Sequence, residues 1–333
     1  MTTSPPMTNV PARAGFSIGV DVGGTKVAAG VVDAAGEIQT QSRKPMVANG
    51  AAAAGLASVT SAIDSLTAMN GNGTGKLLGI GICSPGPLDP ATGVVINPPN
   101  LPCWRNFPLA AEVANIYNVP VRVDNDGNAA ALAETLWGAG RGYKNVFYTG
   151  IGTGIGTGIV LDGQIYHGHT GAAAEGGHCS IDYRGPRCAC GKPGCIEVYA
   201  SGPSIARRAR ARLSAEPGSK SAMLELAGGN VEAVTTSIVG QAYAAGDATA
   251  KEILVETVEL LTFWLSNIVD LLDPDVLIVG GGVATMLQPF FGEIRERLPR
   301  LSVNPRSREI PLVPACYGED SGIAGGAALS TLP

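Results

Sequence analysis

The chain has 333 residues, enough for two ordinary domains with cores of their own. Apolar residues make up 45% and charged residues only 15%, with 46 glycines, which excludes a coiled-coil or disordered chain and leaves a globular, loop-rich one. The net charge of −5 argues against a nucleic-acid binder driven by phosphate neutralisation.

The first fourteen residues lack the apolar core of a signal peptide and read as a flexible tail. No apolar run reaches the length of a membrane span. The cytoplasm is the expected compartment, with no nucleic-acid or membrane partner. Residues 16–33 read as two strands joined by a Gly-Gly turn, with Asp21 near the end of the first and Gly23, Gly24, Thr25 and Lys26 in the turn. Such a turn can cradle a phosphate and its magnesium, or be an ordinary hairpin; it lacks the spacing of a Walker A loop. A third strand is expected at 36–46 and a helix at 51–69, broken by the run Asn70–Gly75. A short strand at 77–83 leads into Ser84-Pro85-Gly86-Pro87, where Gly86 leaves room for a ligand at a strand end. The loop 97–104 carries Asn97 and Asn100, residues that also serve turns through their own hydrogen bonds.

A helix at 109–117 and a strand at 119–123 precede Asp124-Asn125-Asp126-Gly127-Asn128 and an alanine-rich helix to about 137. Asp126 at this junction can act as a helix N-cap, the commoner use, or as a general base. Residues 144–161 repeat the strand–turn–strand theme, with Thr153 and Gly154 in the turn as phosphate donors or plain hairpin residues. The segment 175–197 gathers His178, Cys188, Cys190 and Cys195, a set that can close a tetrahedral Cys3His zinc site; a disulfide pair is the alternative. Glu175 and Glu197 bracket it, either as solvated carboxylates or as ligand-binding ones. Helices are expected at 204–213, 221–226, 231–245 and 248–271, then a strand at 275–279 followed by Gly280, Gly281 and Gly282. Arg207, Arg208, Arg210 and Arg212 read as the solvated face of one of these helices. A short final helix covers 322–329.

Five pieces in this order resemble the ROK family of sugar kinases and repressors, and within it the bacterial glucokinases: D-V-G-G-T-K at 21–26, N-D-G-N-A-A at 125–130, G-I-G-T-G-I-G at 150–156, E-G-G-H at 175–178 and C-A-C-G-K-P-G-C-I-E at 188–197. The resemblance implies an actin-like ATPase fold of ribonuclease H-like α/β domains around a cleft. It puts residues 15–126 plus 318–333 in the smaller domain and 127–317 in the larger. It implies an ATP-dependent hexose 6-phosphotransferase acting on glucose or another hexose, or else a non-catalytic sugar-responsive regulator. The roughly fifteen residues before the first strand are too few for a DNA-reading unit. In the kinase reading Asp126 is the catalytic base, while Gly86, Asn100, Asn125, Glu175, His178 and Glu197 meet the sugar. Asp21, Gly23–Lys26, Thr153 and Gly154 face MgATP phosphates, Gly280–Gly282 lie by the adenosine, and one structural zinc is held by His178, Cys188, Cys190 and Cys195. A homodimer is also implied. Two departures stand out: Gly176-Gly177, expected to loosen the sugar-side loop, and Thr157 where many members carry glycine.

Overall fold

The computed structural model describes residues 15–69, 75–216, 218 and 220–332. The tail 1–14 and most of the Asn70–Gly75 break lie outside these. The described residues divide into two compact units, one running to Asp124 and taking up the chain again from Gly326, the other spanning Asn125–Gly325.

In the first unit β1 (Gly15–Val22), β2 (Lys26–Val32) and β3 (Ile38–Pro45) form an antiparallel meander. Helix α1 (Ala52–Met69) follows, and β4 (Lys76–Ser84) lies parallel to β1. A two-stranded ribbon, β5 (Leu88–Asp89) and β6 (Val94–Val95), precedes α2 (Leu109–Tyr117) and β7 (Val121–Asn125). The strand order is β3-β2-β1-β4-β7. Ile18, Val20 and Val22 of β1 share a buried cluster with Val59, Ile63 and Leu66 of α1 and with Ile80 and Ile82 of β4. A strand covered on both faces reads as a near-continuous apolar run, which is why 16–22 and 77–83 stood out as strands.

The second unit opens with α3 (Asp126–Leu136), then β8 (Val146–Ile151), β9 (Ile155–Leu161) and β10 (Gln164–Ile165). After the Cys/His segment come α4 (Glu197–Ala200), α5 (Gly202–Ala215), α6 (Ala222–Leu226), α7 (Thr236–Ala244) and α8 (Ala248–Leu272). The unit continues with β11 (Val276–Gly280), α9 (Gly282–Leu287), α10 (Phe291–Arg297) and β12 (Leu312–Pro314), and α11 (Ser321–Leu329) leads back to the first unit. The sheet order is β10-β9-β8-β11-β12: again an antiparallel meander with parallel strands beside its inner edge. Two units with this strand order make the ribonuclease H-like pattern of the actin-like ATPases.

Helix α8 earns its length through one apolar stripe. Ile253, Leu254, Leu261, Trp264, Leu265 and Ile268 all enter the second unit's core, each fully buried aliphatic side chain contributing about 1.5–3 kcal/mol. The single helix expected at 231–245 is divided. Val231–Ala233 forms one 3₁₀ turn, and α7 starts only after Thr235, whose side chain accepts the Ile238 N–H at 3.3 Å. The arginines of α5 are not a simple solvated face either: Arg208 and Arg212 pair with Glu256 of α8 at 3.0 and 2.7 Å, and Arg210 donates to the Val234 carbonyl. Among the described residues no helix is long and apolar enough to cross a membrane.

Candidate active site

Strand β7 ends and α3 begins at consecutive residues. The cap of α3 is Asn125, extended at φ −65° and ψ 148°, with its Oδ1 accepting the Gly127 N–H at 2.9 Å. The capping role weighed for Asp126 is therefore taken by its neighbour. Asp126 is the first residue of the helix, and its Oδ1 shares the same Gly127 N–H at 2.9 Å. Its side chain is reachable by solvent, yet the density of protein around it makes desolvation the leading influence. Desolvation outweighs the hydrogen bonds from the Gly127 N–H and from Asn125 and raises the carboxyl above the ordinary 3.8.

The turn between β8 and β9 holds Thr153 and Gly154. Glu197, the first residue of α4, reaches this turn: its Oε2 accepts the Ile155 N–H at 2.9 Å. Gly154 leaves room for that carboxylate, since a Cβ there would lie 2.7 Å from Oε2. The other oxygen, Oε1, is 4.0 Å from His178 Nδ1. Glu175 is exposed, and its carbonyl accepts the His178 N–H at 3.0 Å, closing a 3₁₀ turn over Gly176–His178. Glu175, His178 and Glu197 thus belong to one local cluster.

The four soft ligands also converge. One donor atom from each of His178, Cys188, Cys190 and Cys195 lies within 4.8 Å of every other. Cys188 Sγ is 3.6 Å from His178 Nδ1, and Cys190 Sγ is 3.6 Å from Cys195 Sγ. Tetrahedral zinc bonds would set such pairs about 3.6 Å apart for S···N and about 3.8 Å for S···S, so the donor set fits the ion. All seven cysteines are free, and the alternative of a disulfide here falls. Backbone bonding draws the thiolates together: Gly191 and Gly194 turn at positive φ, and the Cys188 N–H donates to the Lys192 carbonyl at 2.8 Å. Burial, together with the Cys190 and Cys188 thiols, pushes the Cys195 thiol up to about 12, whereas the Lys192 backbone N–H holds Cys190 below 9.0. Metal uptake must then displace a proton from Cys195.

A cavity of about 990 Å³ opens within the second unit, a volume suited to a nucleotide-sized molecule. Thr153 and Gly282 line it, with Gly202, Thr236, Val283 and Met286. Its wall is stitched across elements: the Gly202 N–H donates to the Gly152 carbonyl at 2.8 Å, and Thr236 Oγ1 to the Gly202 carbonyl at 2.5 Å. Gly280 and Gly281 do not line it; Gly281, at φ +88°, passes so close to the Ile151 carbonyl that a Cβ would sit 2.4 Å away. Gly202, Thr236 and Met286 were missed by sequence reasoning, although Gly202 opens a helix five residues after Glu197 and Thr235-Thr236 is a helix-start signal.

In the first unit Asp21 is half-buried near the end of β1, and the Gly23 N–H donates to the Lys26 carbonyl at 2.9 Å, closing the turn. Gly24 packs on the Asn100 loop, where a Cβ would meet the Asn100 carbonyl at 2.9 Å. Leu101 and Trp104 are fully buried and anchor that loop, leaving Asn100 exposed. Gly86 is half-buried, beyond the end of β4.

These motifs have a common source. Residues 17–331 match the ROK family. The chain belongs to the ROK family. This ROK protein is 34% identical over 321 residues to a glucokinase of Streptomyces coelicolor, covering 96% of this chain and 98% of that one. Among solved structures, a ROK family glucokinase from Streptomyces griseus, in complex with glucose and AMPPNP, superposes with a TM-score of 0.80 at 33% identity over 95% of this chain and 99% of its own. A ROK family transcriptional regulator, a homolog of E. coli MLC, superposes with a TM-score of 0.84 at 26% identity, over 96% of this chain and 78% of that one. The actin-like ATPase fold is shared by both.

Proposed function

We propose that this protein is an ATP-dependent hexose kinase, with glucose as its preferred substrate and the 6-hydroxyl as the phosphoryl acceptor. The observation that carries the reading is Asp126: a carboxylate released from capping by Asn125, with a raised pKa, in a chain similar from end to end to glucokinases. A hexose hydroxyl is a poor nucleophile, and a carboxylate within hydrogen-bond reach accepts its proton as it attacks the γ-phosphate in line. ATP enters as its magnesium complex. Backbone N–H groups of the Gly23–Lys26 and Thr153–Gly154 turns neutralise the transferring phosphoryl, and the cavity beside Thr153 and Gly282 takes the adenosine.

Asn125, Glu175, His178 and Glu197 hold the sugar hydroxyls, which can each donate and accept a hydrogen bond. Gly86 and Asn100 are assigned to the same sugar by the resemblance to the family alone, since neither falls in one of the five matching motifs. Zinc held by His178, Cys188, Cys190 and Cys195 would orient His178, because four protein ligands leave no open position for Lewis-acid chemistry. His178 Nδ1, 3.6 Å from Cys188 Sγ, would be the nitrogen that holds the ion, and Nε2 would then be open to a hydroxyl.

The high structural similarity to a transcriptional regulator supports a second reading, a sugar-responsive regulator without catalysis. A coupled ADP-release assay over glucose, mannose, fructose, allose and N-acetylmannosamine, with formation of the hexose 6-phosphate measured where polyphosphate replaces ATP, separates the two. Hexose-dependent ADP release with the highest kcat/KM for glucose is expected. Release that no hexose stimulates would overturn the kinase reading.

A further inference from the structure

Thr157 is the third residue of β9, 3% exposed, three residues beyond Gly154. Its hydroxyl donates to the Ala174 carbonyl and accepts the Gly176 N–H at 2.8 Å. Those two groups belong to the peptide bonds on either side of Glu175. Glu175 itself sits at φ −84° and ψ 49°, close to an inverse γ-turn, in which the flanking carbonyl and N–H would bond each other directly. Here one hydroxyl is inserted between them and satisfies both.

The same loop is gripped from its other sides. Trp264 Nε1 of α8 donates to the Gly176 carbonyl at 3.2 Å. Gly177 passes so close to β9 that a Cβ would lie 2.0 Å from the Ile155 carbonyl. Ala174 is held at φ +65°, a conformation costly for a residue with a side chain. Gly176 and Gly177 are both buried. The glycine pair, expected to loosen the sugar-side loop, instead lets it press against β9, and the loop is clamped. The Thr157 hydroxyl gives its proton to one peptide beside Glu175 and accepts from the other, so both of its bonds serve that residue.

We propose that Thr157 is a positioning residue for the hexose. By bridging the two peptide groups that flank Glu175, its hydroxyl fixes the backbone of that residue, and so the direction in which the Glu175 carboxylate meets the sugar. This rests on the reading of Glu175 as a hexose ligand. The effect falls on sugar binding and leaves the nucleotide side untouched.

Steady-state kinetics of the full, zinc-loaded chain test this. Thr157→Val keeps the shape and removes the hydroxyl, and the KM for glucose is expected to rise about tenfold, the equivalent of one to two net hydrogen bonds. The KM for ATP and the zinc content are expected to hold. Thr157→Ser, which keeps the hydroxyl, is expected to restore the wild-type glucose KM. A folded Thr157→Val variant with unchanged glucose KM, with both KM values raised alike, or with zinc lost overturns the proposal, as does a Thr157→Ser variant impaired to the same degree. Should Thr157→Val not fold, Trp264→Phe removes the other donor to this loop; a raised glucose KM with normal ATP KM supports the clamp, and an unchanged glucose KM refutes it. Glu175→Gln separates the two claims. If it leaves glucose KM unchanged, the reading of Glu175 fails and the proposal falls with it; if it raises glucose KM while Thr157→Val does not, only the role of Thr157 is lost.

Discussion

At the scale of single residues the decisive group is Asp126. Desolvation raises its carboxyl above 3.8, so the folded chain holds that proton more tightly than the unfolded chain does. The sign follows from linkage: such a group costs nothing below its unfolded pKa, and stability is lost as pH rises from there through the folded pKa. Once ionised, the carboxylate is therefore a cost to the fold. Asp126→Asn should lower kcat by about 10²–10⁴-fold, the usual worth of a general base, while Tm near neutral pH stays level or rises. ADP release and calorimetry on the same preparation read both. A near-normal kcat would remove Asp126 from the mechanism, and a clear fall in Tm would contradict the desolvation argument. In the unaltered protein the acid limb of kcat/KM should lie above 3.8, activity rising as the base loses its proton.

At the scale of elements the proposed function would tie the Cys3His donor set to the sugar through His178, because its Nδ1 lies 3.6 Å from Cys188 Sγ and 4.0 Å from Glu197 Oε1. Removing zinc with a chelator should weaken glucose binding by about tenfold or more, with a smaller effect on ATP, and zinc added back should restore it. Glucose and ATP binding that survive chelation equally would make the donor set a remote staple. The donor set was legible in the sequence because its thiols fall within eight residues of chain, close enough for the turns at Gly191 and Gly194 to bring them together. Strands buried on both faces and the long apolar stripe of α8 were legible for the same reason: their patterns are local. The cap of α3, weighed at Asp126, falls one residue earlier, on Asn125, since both residues have capping chemistry and only backbone angles decide. The grip on Glu175 was not legible at all. Its partners stand 17 and 19 residues from Thr157, and the indole that completes it is 88 residues from Gly176, separations that no short motif can encode. Read locally, Gly176-Gly177 signals looseness; packed against the Ile155 carbonyl, it signals close approach.

At the scale of the whole molecule the same five-strand order occurs twice, each sheet with its own buried cluster. The first unit is discontinuous in sequence and needs the C-terminal stretch from Gly326 to complete it. Ser330 Oγ meets Ser17 Oγ at 2.7 Å, and Gly326 lies against Gly19 and Val20 of β1 and Gly81 of β4. The approach is backbone to backbone: a Cβ on Gly81 would fall 1.8 Å from the Gly326 carbonyl oxygen, and one on Gly326 would fall 2.5 Å from the Gly81 carbonyl oxygen. Neither neighbour is the end of a flexible side chain, so the strain cannot be relieved by a rotamer change. Gly81→Ala should therefore destabilise the protein by about 1–3 kcal/mol or more, as overpacking a well-filled core does, and lower Tm by several degrees. Zinc stoichiometry should be unaffected, because all four ligands lie in the second unit. Calorimetry and metal analysis of one sample decide the matter. A Gly81→Ala protein that melts like the wild type would show that the C-terminal helix yields at this contact, and the closure of the first unit would then have to be credited to Ser17 and Ser330.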